Sequence, residues 1–239
     1  MRMRVEIWSD VVCPWCYIGK RKFEAALALY DGDEPFDVVW RPFQLDPTAP
    51  RDRVQPVIEA YAKKFGGPEQ AAAIIDRVTQ VADSVGLNFV MDKALRANTL
   101  DAHRLLARVL RTDGPVYQSM LKERLLRAYF SEGHNISDHT TLAALAAEVG
   151  VSHDDTVRFL ESDEGLEDLA ADFALATEAG ITGVPHFVFD GRWSIPGAQD
   201  PELFLRAFRR MADLRASEAE AQAAAAHACQ VDGGSPASC

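Results

Sequence analysis

The 239-residue sequence has no apolar run approaching the ~20 residues that a membrane-spanning helix requires. It also lacks an excess of positive charge. Its 25 Lys and Arg face 36 Asp and Glu, a formal charge of −11, which argues against nucleic acid or an anionic membrane as the main partner. Cysteine is scarce, with four in all, too few for a disulfide scaffold. No export signal is visible at the start. Met1-Arg2-Met3-Arg4 opens like one, but Glu6 and Asp10 fall where its apolar stretch would have to be. The expectation is a cytoplasmic protein, where disulfides tend to be catalytic or transient. What is present is ordinary globular material, 48% hydrophobic and 26% charged, long enough for a sizeable core.

The four cysteines are placed unevenly: Cys13 and Cys16 near one end, Cys229 and Cys239 at the other. Val5-Glu6-Ile7-Trp8 alternates like a strand and runs into Cys13-Pro14-Trp15-Cys16. A helical pattern follows, with Phe23, Ala26, Leu27 and Tyr30 on one face. Phe36-Asp37-Val38-Val39-Trp40 then reads as a second strand, parallel to the first through a right-handed crossover. From about Pro47 to Gly180 the pattern is helical almost throughout. Strand pattern returns at Pro185-His186-Phe187-Val188-Phe189, and Asp190-Gly191 predicts a hairpin to Arg192-Trp193-Ser194-Ile195. A final helix starts near Pro201 and buries Leu203, Phe204, Phe208 and Met211. This skeleton predicts an α/β protein: a thioredoxin fold with an inserted all-helical domain. Residues 1–46 and 181–215 make the thioredoxin-like domain and 47–180 the insertion. Residues 216–239 are expected to form a mobile tail carrying Cys229 and Cys239.

A Cys-x-x-Cys between a strand and a helix has a chemical purpose. Pro14 fits the first helical position, where its missing N–H costs nothing, and Cys13 then falls at or near the N-cap. The free N–H groups and dipole of the first turn favour a thiolate there. Cys16, one turn along, is then the resolving thiol. Zinc would need four ligands, and the tail cysteines and His227 offer few others. At Gly183-Val184-Pro185 a proline enters a strand, which suits a strand start or edge. A cis Val184–Pro185 bond would let Val184 offer its backbone to an extended substrate; a trans proline would merely begin the strand. Asp10 is either a turn cap or a positioned base. His103 and Arg104 either line a cleft or pack. His186 points either to the thiols or to the other face of the strand. Trp15 either receives an unfolded substrate or packs on the insertion.

Asp10-Val11-Val12-Cys13-Pro14-Trp15-Cys16, the helical insertion and Thr182-Gly183-Val184-Pro185 resemble the DsbA family of thiol–disulfide oxidoreductases. Asn98-Thr99-Leu100-Asp101-Ala102-His103-Arg104 and Gly197-Ala198-Gln199 resemble more narrowly its FrnE-like branch. The resemblance covers residues 3 to about 214. It implies a thioredoxin fold, a cis Pro185 and dithiol–disulfide exchange through Cys13 and Cys16. Val184, Pro185, Trp15 and His103 are the expected substrate-binding residues. The same superfamily includes 2-hydroxychromene-2-carboxylate isomerases and kappa-class glutathione transferases, which typically carry serine where Cys13 stands. Retention of both cysteines favours redox work.

The expected activity is exchange with protein disulfides or thiols, or with a small thiol, without metal or organic cofactor and with glutathione as a possible co-substrate. No nucleic-acid or membrane partner is expected. The alternative is a glutathione-dependent isomerase or transferase acting on a small molecule, with Gly197-Ala198-Gln199-Asp200 near the carrier. Cys229 and Cys239 are either an auxiliary redox pair closing an 11-residue loop or incidental thiols.

Overall fold

In the computed structural model, which describes residues 2–32 and 34–231, the chain opens as β1 (Met3–Ser9), α1 (Pro14–Leu29) and β2 (Phe36–Pro42). The insertion contains β3 (Gln55–Pro56), α2 (Val57–Phe65), α3 (Pro68–Asp83), β4 (Leu95–Arg96), α4 (Leu100–Thr112) and α5 (Pro115–Arg127). A π-helical turn at Ala128–Glu132 leads to α6 (His139–Glu148), α7 (His153–Leu160) and α8 (Leu166–Glu178). The chain then forms β5 (His186–Phe189), β6 (Trp193–Pro196) and α9 (Pro201–Val231). Cys239 lies outside the described residues and Cys229 belongs to α9 by its backbone alone, so their pairing lies outside them too. Among the described residues, no helix is long and apolar enough to cross a membrane.

Four strands form one mixed sheet in the order β2-β1-β5-β6. β1 and β2 run parallel, with Ile7 opposite Trp40; β5 is antiparallel to β1, with Phe187 opposite Ile7. The β5–β6 hairpin turns at Asp190 and Gly191, both at positive φ (50° and 67°), as the Asp-Gly pair predicts. Alternation along the strands sends Val5, Ile7, Phe187 and Phe189 to one face, where they meet Phe23 of α1 and Phe204 and Phe208 of α9. A second core, built on Leu105, Leu121, Leu125, Phe130 and Leu142, belongs to the insertion and takes in Val11, Tyr17 and Ile18. α1 is therefore apolar on two sides and joins the two cores.

Within the insertion, Ile74 of α3 and Tyr117 of α5 stay exposed, while Val78, Ala82, Leu121 and Leu125 are buried. Asp138 caps α6 by accepting from the Thr141 N–H at 2.7 Å, whereas α8 starts after Gly165 with no side-chain cap. The last helix, expected to end near Ala216, continues to Val231. Its added turns are rich in Ala, Glu and Gln, among the strongest helix formers, and Glu218 is tied to Arg192 by two hydrogen bonds of 2.7 and 2.8 Å.

Candidate active site

β1 ends at Ser9 and the chain turns through Asp10 into α1, with Cys13 at the N-cap in extended geometry and Pro14 in the first turn. The Cys13 N–H donates to the Asp10 carbonyl (3.3 Å) and the Cys16 N–H to the Cys13 carbonyl (3.0 Å). No acidic residue lies in the first turn of α1 itself, at the positive end of its dipole. Cys13 Sγ sits 3.7 Å from the Val184 carbonyl oxygen, and the Val184–Pro185 bond is cis. Cys16 is fully enclosed one turn along. Burial pushes its thiol well above the ordinary range, the neighbouring Cys13 adds to this, and Lys122 and the Asp10 backbone oppose it. The two sulfurs thus have different environments: one faces the Val184-Pro185 loop, the other faces inward.

The approach of that loop to α1 depends on a missing side chain. A Cβ at Gly19 would lie 2.9 Å from Pro185 Cγ and 3.4 Å from Ala198 Cβ. The Gly197 N–H donates to the Pro185 carbonyl (2.8 Å), and Gln199 Nε2 to the Pro196 carbonyl (2.8 Å). The Gly197-Ala198-Gln199 stretch therefore fastens the loop onto α1, and Asp200 is held by Lys22 at 2.7 Å. Trp15, 40% exposed, stands beside Cys13 on the solvent side. On the insertion, Ile58, Tyr61 and Phe65 share one face of α2, with Ile58 and Phe65 partly exposed. The Tyr61 hydroxyl is pushed up to about 12, by burial and then by the charge of Cys13, which places it within electrostatic reach of the dithiol.

Behind the dithiol lies a buried polar group. The Asp10 carboxylate accepts from the Leu45 N–H at 2.8 Å through one oxygen and pairs with His103 Nε2 at 3.1 Å through the other. Burial lowers the His103 imidazole below its usual value, against the pull of Asp10. Lys122 of α5 is 1% exposed, with its ammonium 5.6 Å from the centre of the Trp40 ring. Burial brings it down to about 8, although Cys16, Asp10 and Cys13 draw it upward. A cavity of about 10 Å³, the size of one water molecule, lies between Lys122, His103, Trp40 and Pro42.

Several expected contacts are placed differently. His103 does not reach the substrate side: it is 2% exposed, because α4 carries it inward onto Asp10. Arg104 is likewise buried and donates to the Ser162 carbonyl (2.6 Å), the Glu164 carbonyl (2.8 Å) and Asp101 (2.6 Å). Asp101 also meets Arg51 and His139 Nε2, and Asn98 donates to the Ala49 carbonyl (2.7 Å). The Asn98–Arg104 stretch is thus a fastening that holds His103 in place. His186 sits on the Trp8 and Val188 face of the sheet, and burial alone lowers its imidazole. Sequence reasoning missed Lys122 and Gln118. The signal was available: both interrupt, at i and i+4, the buried stripe of α5 that contains Leu121 and Leu125.

A mixed sheet with a dithiol at a helix N-terminus and an X-Pro loop facing it defines a thioredoxin-type protein with a helical insertion. The chain belongs to the DSBA-like thioredoxin domain family, whose model matches residues 4–209. It is similar to a structure described as a probable DsbA oxidoreductase from Streptomyces coelicolor, at 35% identity and a TM-score of 0.81 over 87% of this chain and 89% of that one. It is 29% identical to YwbO of Bacillus subtilis (strain 168) over 87% of this chain and 96% of that protein. The fold is also that of the cytosolic disulfide reductase DsbM from Pseudomonas aeruginosa, solved with GSH. That likeness has 22% identity and a TM-score of 0.61 over 89% of this chain and 99% of the other.

Proposed function

We propose that the protein is a cytoplasmic thiol–disulfide oxidoreductase that exchanges disulfides through Cys13 and Cys16. The observation that carries this reading is the pairing of Cys13 Sγ at a helix N-terminus, 3.7 Å from the Val184 carbonyl, with the enclosed Cys16 behind it. The Cys13 thiolate attacks a substrate disulfide. The S–S bond breaks, one substrate sulfur leaves with the electron pair and takes up a proton, and the other stays on Cys13. Val184 and Pro185 orient the substrate backbone, and Trp15 offers it an apolar surface. Cys16 then attacks Cys13 Sγ, releasing the second substrate thiol and closing Cys13–Cys16. Because Cys16 is buried, its proton leaves inward, toward the Asp10–His103 pair, while the Lys122 ammonium favours the thiolate left behind. Two electrons have passed from the dithiol to the substrate, and two molecules of a small thiol such as glutathione return them, leaving as their own disulfide.

Glutathione is favoured as that thiol by the likeness to a disulfide reductase solved with it. The test is reduction of insulin by dithiothreitol or glutathione. The parent should turn over, Cys13→Ser should be inactive, and Cys16→Ser should accumulate mixed disulfides. A parent no faster than Cys13→Ser overturns the reading and leaves the glutathione-dependent isomerase as the reading to pursue.

A further inference from the structure

Cys13 is only 2% exposed, so a sulfur expelled from a substrate disulfide departs into a space with little water. A thiolate poorly solvated by water is costly, and a donor already aimed at it lowers the barrier to its departure. The polar groups behind the dithiol do not supply that donor, because Asp10, His103 and Lys122 are gathered on the side of Cys16. The Val184 carbonyl beside Cys13 Sγ accepts and does not donate. The insertion brings a different group. Its helix α2 is fixed at both ends. The Val57 N–H donates to the Ala94 carbonyl (2.9 Å) next to the β3–β4 pair, and the Gly67 N–H closes the last turn on the Ala62 carbonyl (2.8 Å). Val57, Tyr61 and Phe65 recur at every fourth position and share one face. Tyr61 packs on the insertion core, as does Val12, the residue before Cys13, and its ring meets that of Phe65 edge-on at 5.3 Å. The hydroxyls of Tyr17, Tyr30 and Tyr129 bond to Glu123, Glu34 and the Leu95 carbonyl. The Tyr61 hydroxyl has no such partner among the described residues, although its ring is half-buried and the charge of Cys13 reaches it.

We propose that Tyr61 is a catalytic residue of the exchange, its hydroxyl donating a hydrogen bond to the substrate sulfur that departs when Cys13 attacks. The inference rests on the redox reading above and adds to it a group from the insertion. The Cys13 thiolate bonds to the nearer sulfur of the substrate, and the S–S bond breaks. The farther sulfur departs with the electron pair and is held by the Tyr61 O–H until it takes a proton from solvent. Attack on a disulfide is collinear. A substrate whose backbone lies beside Val184 therefore projects its departing sulfur away from that loop and toward the insertion. Burial and then the charge of Cys13 push the phenol up to about 12, so it keeps its proton at neutral pH and serves as a donor, not as a base. In the resting protein the hydroxyl is idle. The departing sulfur completes it.

The test uses the Cys16→Ser protein, in which only the first exchange occurs, with and without Tyr61→Phe. Two small disulfides serve as probes. Dithiobis(nitrobenzoate) expels a weakly basic aromatic thiolate that departs readily without help, whereas bis(hydroxyethyl) disulfide expels a strongly basic alkyl thiolate. Tyr61→Phe should slow exchange with the alkyl disulfide at least tenfold and leave that with the aromatic one within twofold. Urea unfolding should match the parent's, since the substitution removes one oxygen that bonds to no described residue. Unchanged rates with both probes overturn the proposal. Equal slowing with both does so too, because the hydroxyl would then act on Cys13 itself or on packing and not on the departing sulfur. If the Cys16→Ser protein reacts with neither probe faster than Cys13→Ser/Cys16→Ser, the redox reading falls and this inference with it.

Discussion

Replacing Lys122 with methionine should make the protein more stable and a slower resolver of mixed disulfides. The side chain is 1% exposed and, among the described residues, forms no ion pair. Its nearest recorded partner is the Trp40 ring at 5.6 Å. Burial brings its pKa from an ordinary 10.5 to about 8. At 1.36 kcal/mol per unit, this gap is a destabilisation of up to about 3 kcal/mol by the buried charge. The sign follows from proton counting. Below pH 8 both states hold the proton and the cost is complete. Between about pH 8 and 10.5 the unfolded chain binds more protons, so parental stability rises with pH. Methionine carries no such cost, so Lys122→Met should gain up to about 3 kcal/mol at pH 7, and the gain should fade by about pH 10.5. For a chain of this size, the gain corresponds to a rise in Tm of roughly 6–12 °C. Urea unfolding at pH 6, 7 and 9.5 measures this. The background should be Cys13→Ser/Cys16→Ser, because the raised Cys16 thiol contributes with the opposite sign. In the cysteine-containing protein, the mixed disulfide on Cys13 should persist longer at pH 7. A variant less stable than its parent at pH 7, or one with the parental pH dependence, refutes the argument from burial. Unchanged resolution kinetics remove Lys122 from the resolution step.

Three further substitutions test the surroundings. Gly19→Ala puts a Cβ 2.9 Å from Pro185 Cγ and should cost about 1–3 kcal/mol in urea unfolding, with a fall in insulin reduction as the Val184-Pro185 loop is displaced. His103→Leu should slow resolution while leaving the KM for substrate unchanged, because the imidazole lies behind the dithiol; a raised KM with unchanged kcat would return His103 to the substrate side. Burial disfavours ionisation of Glu123, but Arg21, Lys20 and Tyr17 hold it at about 2 against an ordinary 4.5. This stabilisation is present above pH 4.5 and is lost as pH falls toward 2, so Glu123→Gln should flatten the acid limb of the stability profile by no more than about 3 kcal/mol. An acid limb identical to the parent's would show that the pair contributes nothing to folding.

Much of the fold was legible because its signals are local. Alternation in Val5–Trp8, Pro14 at the head of a helix and Asp190-Gly191 between two short strands each constrain a few neighbouring dihedrals, and each appears where expected. The end of α9 was misjudged because an alanine-rich stretch reads equally as loose tail or as helix, and only its surroundings decide. In the site, Cys13, Cys16 and Val184-Pro185 were legible from residue type and spacing. The inward turn of His103 and the fastening role of Arg104 were not, since a helical residue near a cleft faces it or avoids it according to how the helix rotates in its packing.

The sequence by itself determined the local placements: a dithiol at a strand–helix junction, a strand led by proline, and a net negative charge. These follow from covalent identity and short-range spacing. Only the tertiary structure decided the partners of buried charge. It put Lys122 and the Asp10–His103 pair, from three separate elements, behind Cys16, and it let Gln118 complete the edge of β2 at Trp40. Those placements depend on how α4 and α5 pack against the sheet. Desolvation, and electrostatic coupling between residues as far apart as Asp10 and Lys122, 112 positions, are set by that packing and by nothing nearer in the chain.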